Sequence, residues 1–104
     1  MEKLFLLAQG YRNRFPEGFE PFQMAARLLE ECGEVASEIN LWENTGLKRQ
    51  KYGEPRKENL ANEIKQAMAA LAQIAIYYNV EEAVDTSINN SLAKMAEEGL
   101  IVMS

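Results

Sequence analysis

Carboxylates carry most of the chemistry this chain has to offer. Glu30, Glu31, Glu34 and Glu38 crowd one short stretch, and Glu63 and Gln66 follow after a polar, basic interval. On a helix, at about 100° per residue, Glu31, Glu34 and Glu38 fall within an arc of roughly 60°. Arg27 joins that strip. Glu63 and Gln66 make a second strip, with Asn59 a turn earlier. Antiparallel packing of the two helices would turn the strips toward each other, bringing Glu31, Glu34 and Glu63 together with Gln66 beside them. Carboxylates gathered in that way ionise together only when a cation compensates them. Oxygen ligands select Mg²⁺, Mn²⁺ or Ca²⁺, and Mg²⁺ characteristically keeps waters and bridges to phosphates. Solvated helix faces show the same E-x-x-E spacing. Gly33, inside the acidic run, costs a helix about 1 kcal/mol against alanine, so it needs a reason such as a close helix approach.

Four helices must position these groups. Leu4, Leu7, Ala8 and Tyr11 recur at helical spacing and predict a first helix over Glu2 to Asn13. Pro16, Gly18 and Pro21 mark a loop, with Pro21 suited to the first turn of the next helix. That second helix is expected over Pro21 to Glu43, with Met24, Leu28, Cys32, Val35, Ile39 and Trp42 as its apolar stripe and Asn44-Thr45-Gly46 as its stop. A third is expected over Glu58 to Tyr78, buried along Leu60, Ile64, Ala67, Leu71, Ile74 and Tyr78. From Ala67 onward it is apolar almost all round, which predicts burial on several sides and hence a partner subunit. Asn79 should end it and cap a fourth, whose stripe is Val84, Ile88, Leu92 and Met95 and whose terminator is Gly99. The expected architecture is all-α, a single domain over residues 1–104, with antiparallel helices in a four-helix-bundle-like arrangement.

Composition narrows the function. The chain has 104 residues, 47% of them hydrophobic and 26% charged, which suits one globular core. A net charge of -5 argues against a general binder of nucleic-acid polymers, which neutralises phosphates with basic residues. The basic residues Lys48, Arg49, Lys51, Arg56 and Lys57 nevertheless cluster in one interval, either as a solvated loop or as a contact for a small phosphorylated ligand. One cysteine and no histidine exclude an intrachain disulfide and a Cys/His zinc site. Cys32 reads as a core residue. The apolar run after Met1 is too short for a signal peptide and nothing is long enough to span a membrane, so the cytoplasm is the expected compartment.

The run Glu30-Glu31-Cys32-Gly33-Glu34 resembles the EExxE motif of the MazG-like nucleotide pyrophosphohydrolases. Glu63-Ile64-Lys65-Gln66 stands where that family carries ExxD, and Leu71 to Val84 resembles its helix, short turn and next helix. The likeness covers roughly residues 20 to 95. It implies an all-α MazG fold, assembly as a homodimer or homotetramer, and hydrolysis of phosphoric anhydrides, converting a nucleoside triphosphate to monophosphate and pyrophosphate with Mg²⁺ or Mn²⁺. It also implies a house-cleaning role. By the same resemblance Glu31, Glu34 and Glu63 are metal-binding and catalytic, and Gln66 takes the place of an aspartate ligand. Glu30 matches the first acid of the motif. Substrate contacts are expected from Glu30, from Lys51 in the basic interval, and from Asn89 or Asn90, in a helix that lacks the family's lysine.

Gln66 motivates a competing expectation, because glutamine offers a neutral carbonyl oxygen where a carboxylate stands in the family. The chain would then be a catalytically impaired helical relative, serving as a nucleotide-binding or protein-interaction subunit. A plain structural helical oligomer is the third alternative. Phe15, Phe19 and Phe22 either stack a base or pack into the core, and Trp42 carries the same two readings.

Overall fold

A computed structural model describes residues 1–43 and 53–103, and its described residues form four α-helices and no strands. They are α1 (Glu2–Arg14), α2 (Pro21–Trp42), α3 (Lys57–Tyr77) and α4 (Glu81–Glu97). The expected stop at Asn44-Thr45-Gly46 lies outside the described residues.

Local chemistry sets the described helix ends. Pro21 opens α2, and Gln23 Oε1 reaches back to accept the Glu20 backbone N–H at 3.1 Å. At the end of α3, Asn79 adopts φ +57°. Its N–H donates to the Ile76 carbonyl and that of Val80 donates to Ala75, which closes a Schellman turn. Asn79 therefore ends α3 as expected but does not cap the next helix: Val80 holds that position, with no side-chain cap. Gly99, at φ +78°, repeats the same turn after α4 through Gly99 to Ala96 and Leu100 to Met95.

The principal packing is α2 on α3, followed by α1 on α3, with α4 resting lightly on α3. The core along α3 is built from small residues, Ala69, Ala70, Ala72 and Ala75, together with the polar Gln73; Ala8 of α1 and Met24 and Leu41 of α2 are the other buried residues among those described. Short side chains let helix axes approach closely, so the alanines of α3 permit close packing against its neighbours.

The stripe expected for α3 is only partly covered, at Leu60, Ala67 and Ile74. Ile64, Leu71 and Tyr78 are exposed, Leu71 at 54%, and the buried residues lie on roughly the opposite side of the helix. A helix apolar all round has two candidate faces, and hydropathy ranks the larger side chains first even when the chain itself packs on the smaller. Several other expected core residues are exposed as well, Cys32, Ile39 and Trp42 on α2 and Ile88 and Met95 on α4; of the rings beside the first loop with two readings, Phe15 and Phe22 are exposed, Phe22 at 90%. No residue of α4 is buried. At Gly33 an added Cβ would meet nothing within 4 Å, so the close approach expected there is not made within the chain.

The molecule is correspondingly open. Its radius of gyration is 16.9 Å, against about 13 Å for a compact domain of this length. Its accessible surface is 8033 Å², against roughly 6000 Å² for a folded monomer of this size. No helix is long and apolar enough to cross a membrane among the described residues.

Candidate functional site

Between α1, α2 and α3 lies a cavity of about 680 Å³, within the range typical of small-molecule sites. Its walls are chemically divided. Glu31 and Glu34 of α2 and Glu63 and Gln66 of α3 line one part. Tyr11, Phe15, Phe19 and Met24 line the other. Arg27, Asn62, Ala69, Ala70 and Gln73 also contribute, with Glu17 and Gly18 from the first loop.

The acidic wall follows from helix periodicity. Arg27, Glu31, Glu34 and Glu38 recur at spacings of three and four, so α2 displays them in a row. Glu63 and Gln66 do the same one turn apart on α3. Their nearness shows in the titration of Glu63. Partial burial raises its carboxyl above the ordinary value of 4.5, and the charges of Glu34, Glu31 and Glu38 push it further the same way. One oxygen of Glu38 is buried with no hydrogen-bond partner among the described residues. An orphaned carboxylate oxygen beside three other glutamates is a donor set suited to a hard cation. The side chains do not converge tightly: among the described residues no three acidic groups sit close enough to hold an ion as they stand.

A second network fixes the opposite wall. Gln73 is 6% exposed, and its amide is engaged at both ends. Its Nε2 donates to the Ala8 carbonyl at 2.7 Å, and its Oε1 accepts from Arg12 Nε at 3.2 Å. Arg12 Nη2 also donates to the Gln73 backbone carbonyl at 3.4 Å. The same guanidinium lies 4.4 Å from the centre of the Phe19 ring. Through this chain of contacts α1 and the first loop are anchored to α3.

Of the residues singled out from sequence, Glu31, Glu34, Glu63 and Gln66 line one cavity together. Glu30, Asn89 and Asn90 are exposed and are not among its lining residues. Lys51 lies outside the described residues, as do Lys48 and Arg49. Of the remaining basic cluster, Arg56 makes an exposed ion pair with Glu58 at 3.8 Å and Lys57 opens α3. Sequence spacing had placed Arg27 and Glu38 on the acidic strip without assigning either a ligand role. Gln73 carried no signal, because a glutamine within an apolar run has nothing to mark it as a buried anchor.

Searches of family models, curated proteins and solved structures found no match to the chain.

Proposed function

We propose that this protein is a MazG-like nucleotide pyrophosphohydrolase, cleaving nucleoside triphosphates to monophosphate and pyrophosphate with Mg²⁺ or Mn²⁺. One observation carries the reading: Glu31 and Glu34 from one helix and Glu63 and Gln66 from another line the same ligand-sized cavity. The motif likeness of the acidic run supports it independently. In this reading α2 and α3 are antiparallel members of the family's helical bundle.

Glu31, Glu34 and Glu63 would hold the cation, with the Gln66 carbonyl oxygen as a neutral ligand and the unpartnered Glu38 oxygen at hand. A bound Mg²⁺ supplies charge neutralisation of the triphosphate and polarisation of its phosphorus. The chain's own part is to position and to accept a proton. One carboxylate holds a water in line with the α-phosphorus and takes its proton as the new P–O bond forms. The α–β anhydride bond breaks and pyrophosphate leaves with the electron pair. No protein nucleophile is required.

A homodimer or homotetramer belongs to the same proposal. The surface in excess of a compact monomer is about 2000 Å², comparable to what obligate interfaces bury. Leu71, Ile64 and Met68 on the outward side of α3 and Ile88 and Met95 on α4 are the apolar groups such an interface would cover.

Gln66 favours a second reading, in which the cavity binds nucleotide without turning it over. Pyrophosphate release from a panel of nucleoside triphosphates, with Mg²⁺ and with Mn²⁺, separates the two. Metal-dependent release that is lost in Glu63→Gln establishes the enzyme. No release from the wild type, with a gain in Gln66→Asp, establishes the binding subunit.

A further inference from the structure

The side of α1 turned away from α3 carries a groove of about 500 Å³, lined by Lys3, Leu6, Leu7, Gly10, Tyr11 and Arg14. Helical periodicity puts these six on one side of α1 and puts Ala8 and Arg12, which meet Gln73 of α3, on another. Leu6 is 75% exposed. Gly10 lies mid-helix, where glycine is a poor choice for stability alone. An added Cβ there would meet nothing within 4 Å, so the chain does not itself use the notch. Lys3 and Arg14 stand at the two ends of the groove, exposed and without an ion pair among the described residues. Lys3 shares the first turn with Glu2, and Arg14 shares the last with Arg12, so the Arg14 end is the more basic.

The complementary feature follows α4. Glu97 and Glu98 close that helix, Gly99 turns the chain out of it, and Leu100-Ile101-Val102-Met103 comes next. Leu100, Val102 and Met103 are exposed, Val102 at 97%. A run of consecutive apolar residues on a surface calls for a binding role. Its length fits the groove. From Lys3 to Arg14 the helix rises about 16 Å, and from Glu98 to Met103 an extended chain covers about the same distance. The order of groups fits as well. Acid followed by apolar residues in the segment matches arginine followed by Tyr11, the Gly10 notch, Leu7 and Leu6 in the groove.

We infer that the groove on α1 of one copy receives the Leu100–Met103 segment of a second copy, with Glu98 against Arg14 and the apolar side chains lying across Gly10 toward Lys3. Within a single chain the two are not engaged, since Leu6 and Val102 are both exposed. The exchange is reciprocal: each copy offers a groove and a segment, so two copies close into a pair with two identical contacts. The contact uses none of the outward residues of α3, Ile64, Met68 and Leu71. It stands apart from the catalytic reading of the acidic cavity and holds whether or not the protein turns over a nucleotide.

The test is the mass measured by light scattering from micromolar to millimolar protein, in a Leu71→Ser background that disables the outward side of α3. A concentration-dependent pair should form. Val102→Asp, Arg14→Glu and Glu98→Arg should each weaken it by about 10-fold or more, because every change counts twice in a reciprocal pair. All three positions are exposed, so the fold is not at stake. An equimolar mixture of Arg14→Glu with Glu98→Arg should recover the pair, since both contacts then match. Gly10→Leu should weaken pairing as much while leaving the thermal midpoint of the monomer unchanged or raised. The Leu6 and Leu7 methyl resonances of labelled protein should shift on addition of unlabelled protein and stay in place on addition of unlabelled Val102→Asp. A monomer at every concentration, a pair that survives Val102→Asp and Arg14→Glu, or a mixture that fails to recover overturns the inference. So does a shift of the Leu6 and Leu7 resonances caused by Val102→Asp within the monomer, which places the segment in the groove of its own chain.

Discussion

The two sides of α3 are both apolar and do opposite things. One side carries Ala69, Ala70, Ala72 and Gln73, is buried against the rest of the chain and continues into the cavity through Gln66 and Glu63. The other carries Ile64, Met68 and Leu71 and is exposed. The difference is one of size. Alanines let α1 and α2 come close enough for a polar anchor at Gln73 and an acidic wall at Glu63 to share one helix face. Bulky residues at the same positions would hold those helices apart. The larger side chains form an exposed apolar surface whose burial would yield more per residue, the surface that the proposed assembly would cover.

That contrast can be broken most severely by enlarging the small side. Ala72→Leu and Ala70→Leu should each destabilise the fold by about 1–3 kcal/mol, because overpacking forces helices apart. In a domain of this length that lowers the thermal midpoint by several degrees, as a calorimetric scan would show. Ala70→Leu should also shrink the cavity and weaken ligand binding. Undisturbed stability in both variants would mean that the alanine contact is looser than described.

The polar anchor comes next. Gln73→Ala removes the partner of the Ala8 carbonyl and of Arg12, and should cost about 1–3 kcal/mol, since a buried group left unsatisfied loses its full desolvation penalty. The cost should shrink in the Arg12→Ala background, and a double-mutant cycle in denaturant measures that coupling.

On the outward side the prediction reverses. Leu71→Ser should change the stability of a single chain by no more than about 0.5 kcal/mol, yet, under the proposed assembly, lower the mass measured by light scattering. A large loss of stability at unchanged mass would show that this side packs within the chain.

The smallest effect is electrostatic and concerns Glu63. A carboxyl whose value is raised in the folded state binds its proton more readily there than in the unfolded chain. Its contribution therefore favours folding at low pH and is lost as pH rises from the ordinary 4.5 through the raised value. In metal-free protein at neutral pH, Glu63→Gln should thus raise the thermal midpoint slightly and flatten the acid-side pH dependence. The same substitution abolishes turnover under the proposed function, so stability and activity move in opposite directions. A fall in the metal-free midpoint would mean that Glu63 is held by a favourable partner.

Sequence alone determined the helices and the acidic strips. A period of three and four residues is a local property, and it places Glu31, Glu34 and Glu38 in one row and Glu63 with Gln66 in another whatever the helices pack against. The turn at Gly99 and the αL residue at Asn79 are local as well. Tertiary structure decided the rest. Which side of an all-apolar helix turns inward depends on how closely its neighbours can approach, and that is a sum over three helices which no single pattern contains. For this reason the exposure of Ile64, Leu71, Tyr78 and Cys32 did not follow from spacing, and Gln73 gave no sign. Sequence marked Phe15 and Phe19 as rings that stack a base or pack into the core, but not where they lie relative to the glutamates. Phe15 and Phe19 flank a loop far from the glutamates in sequence, and only the anchoring of Arg12 on Gln73 brings them onto the wall of the same cavity.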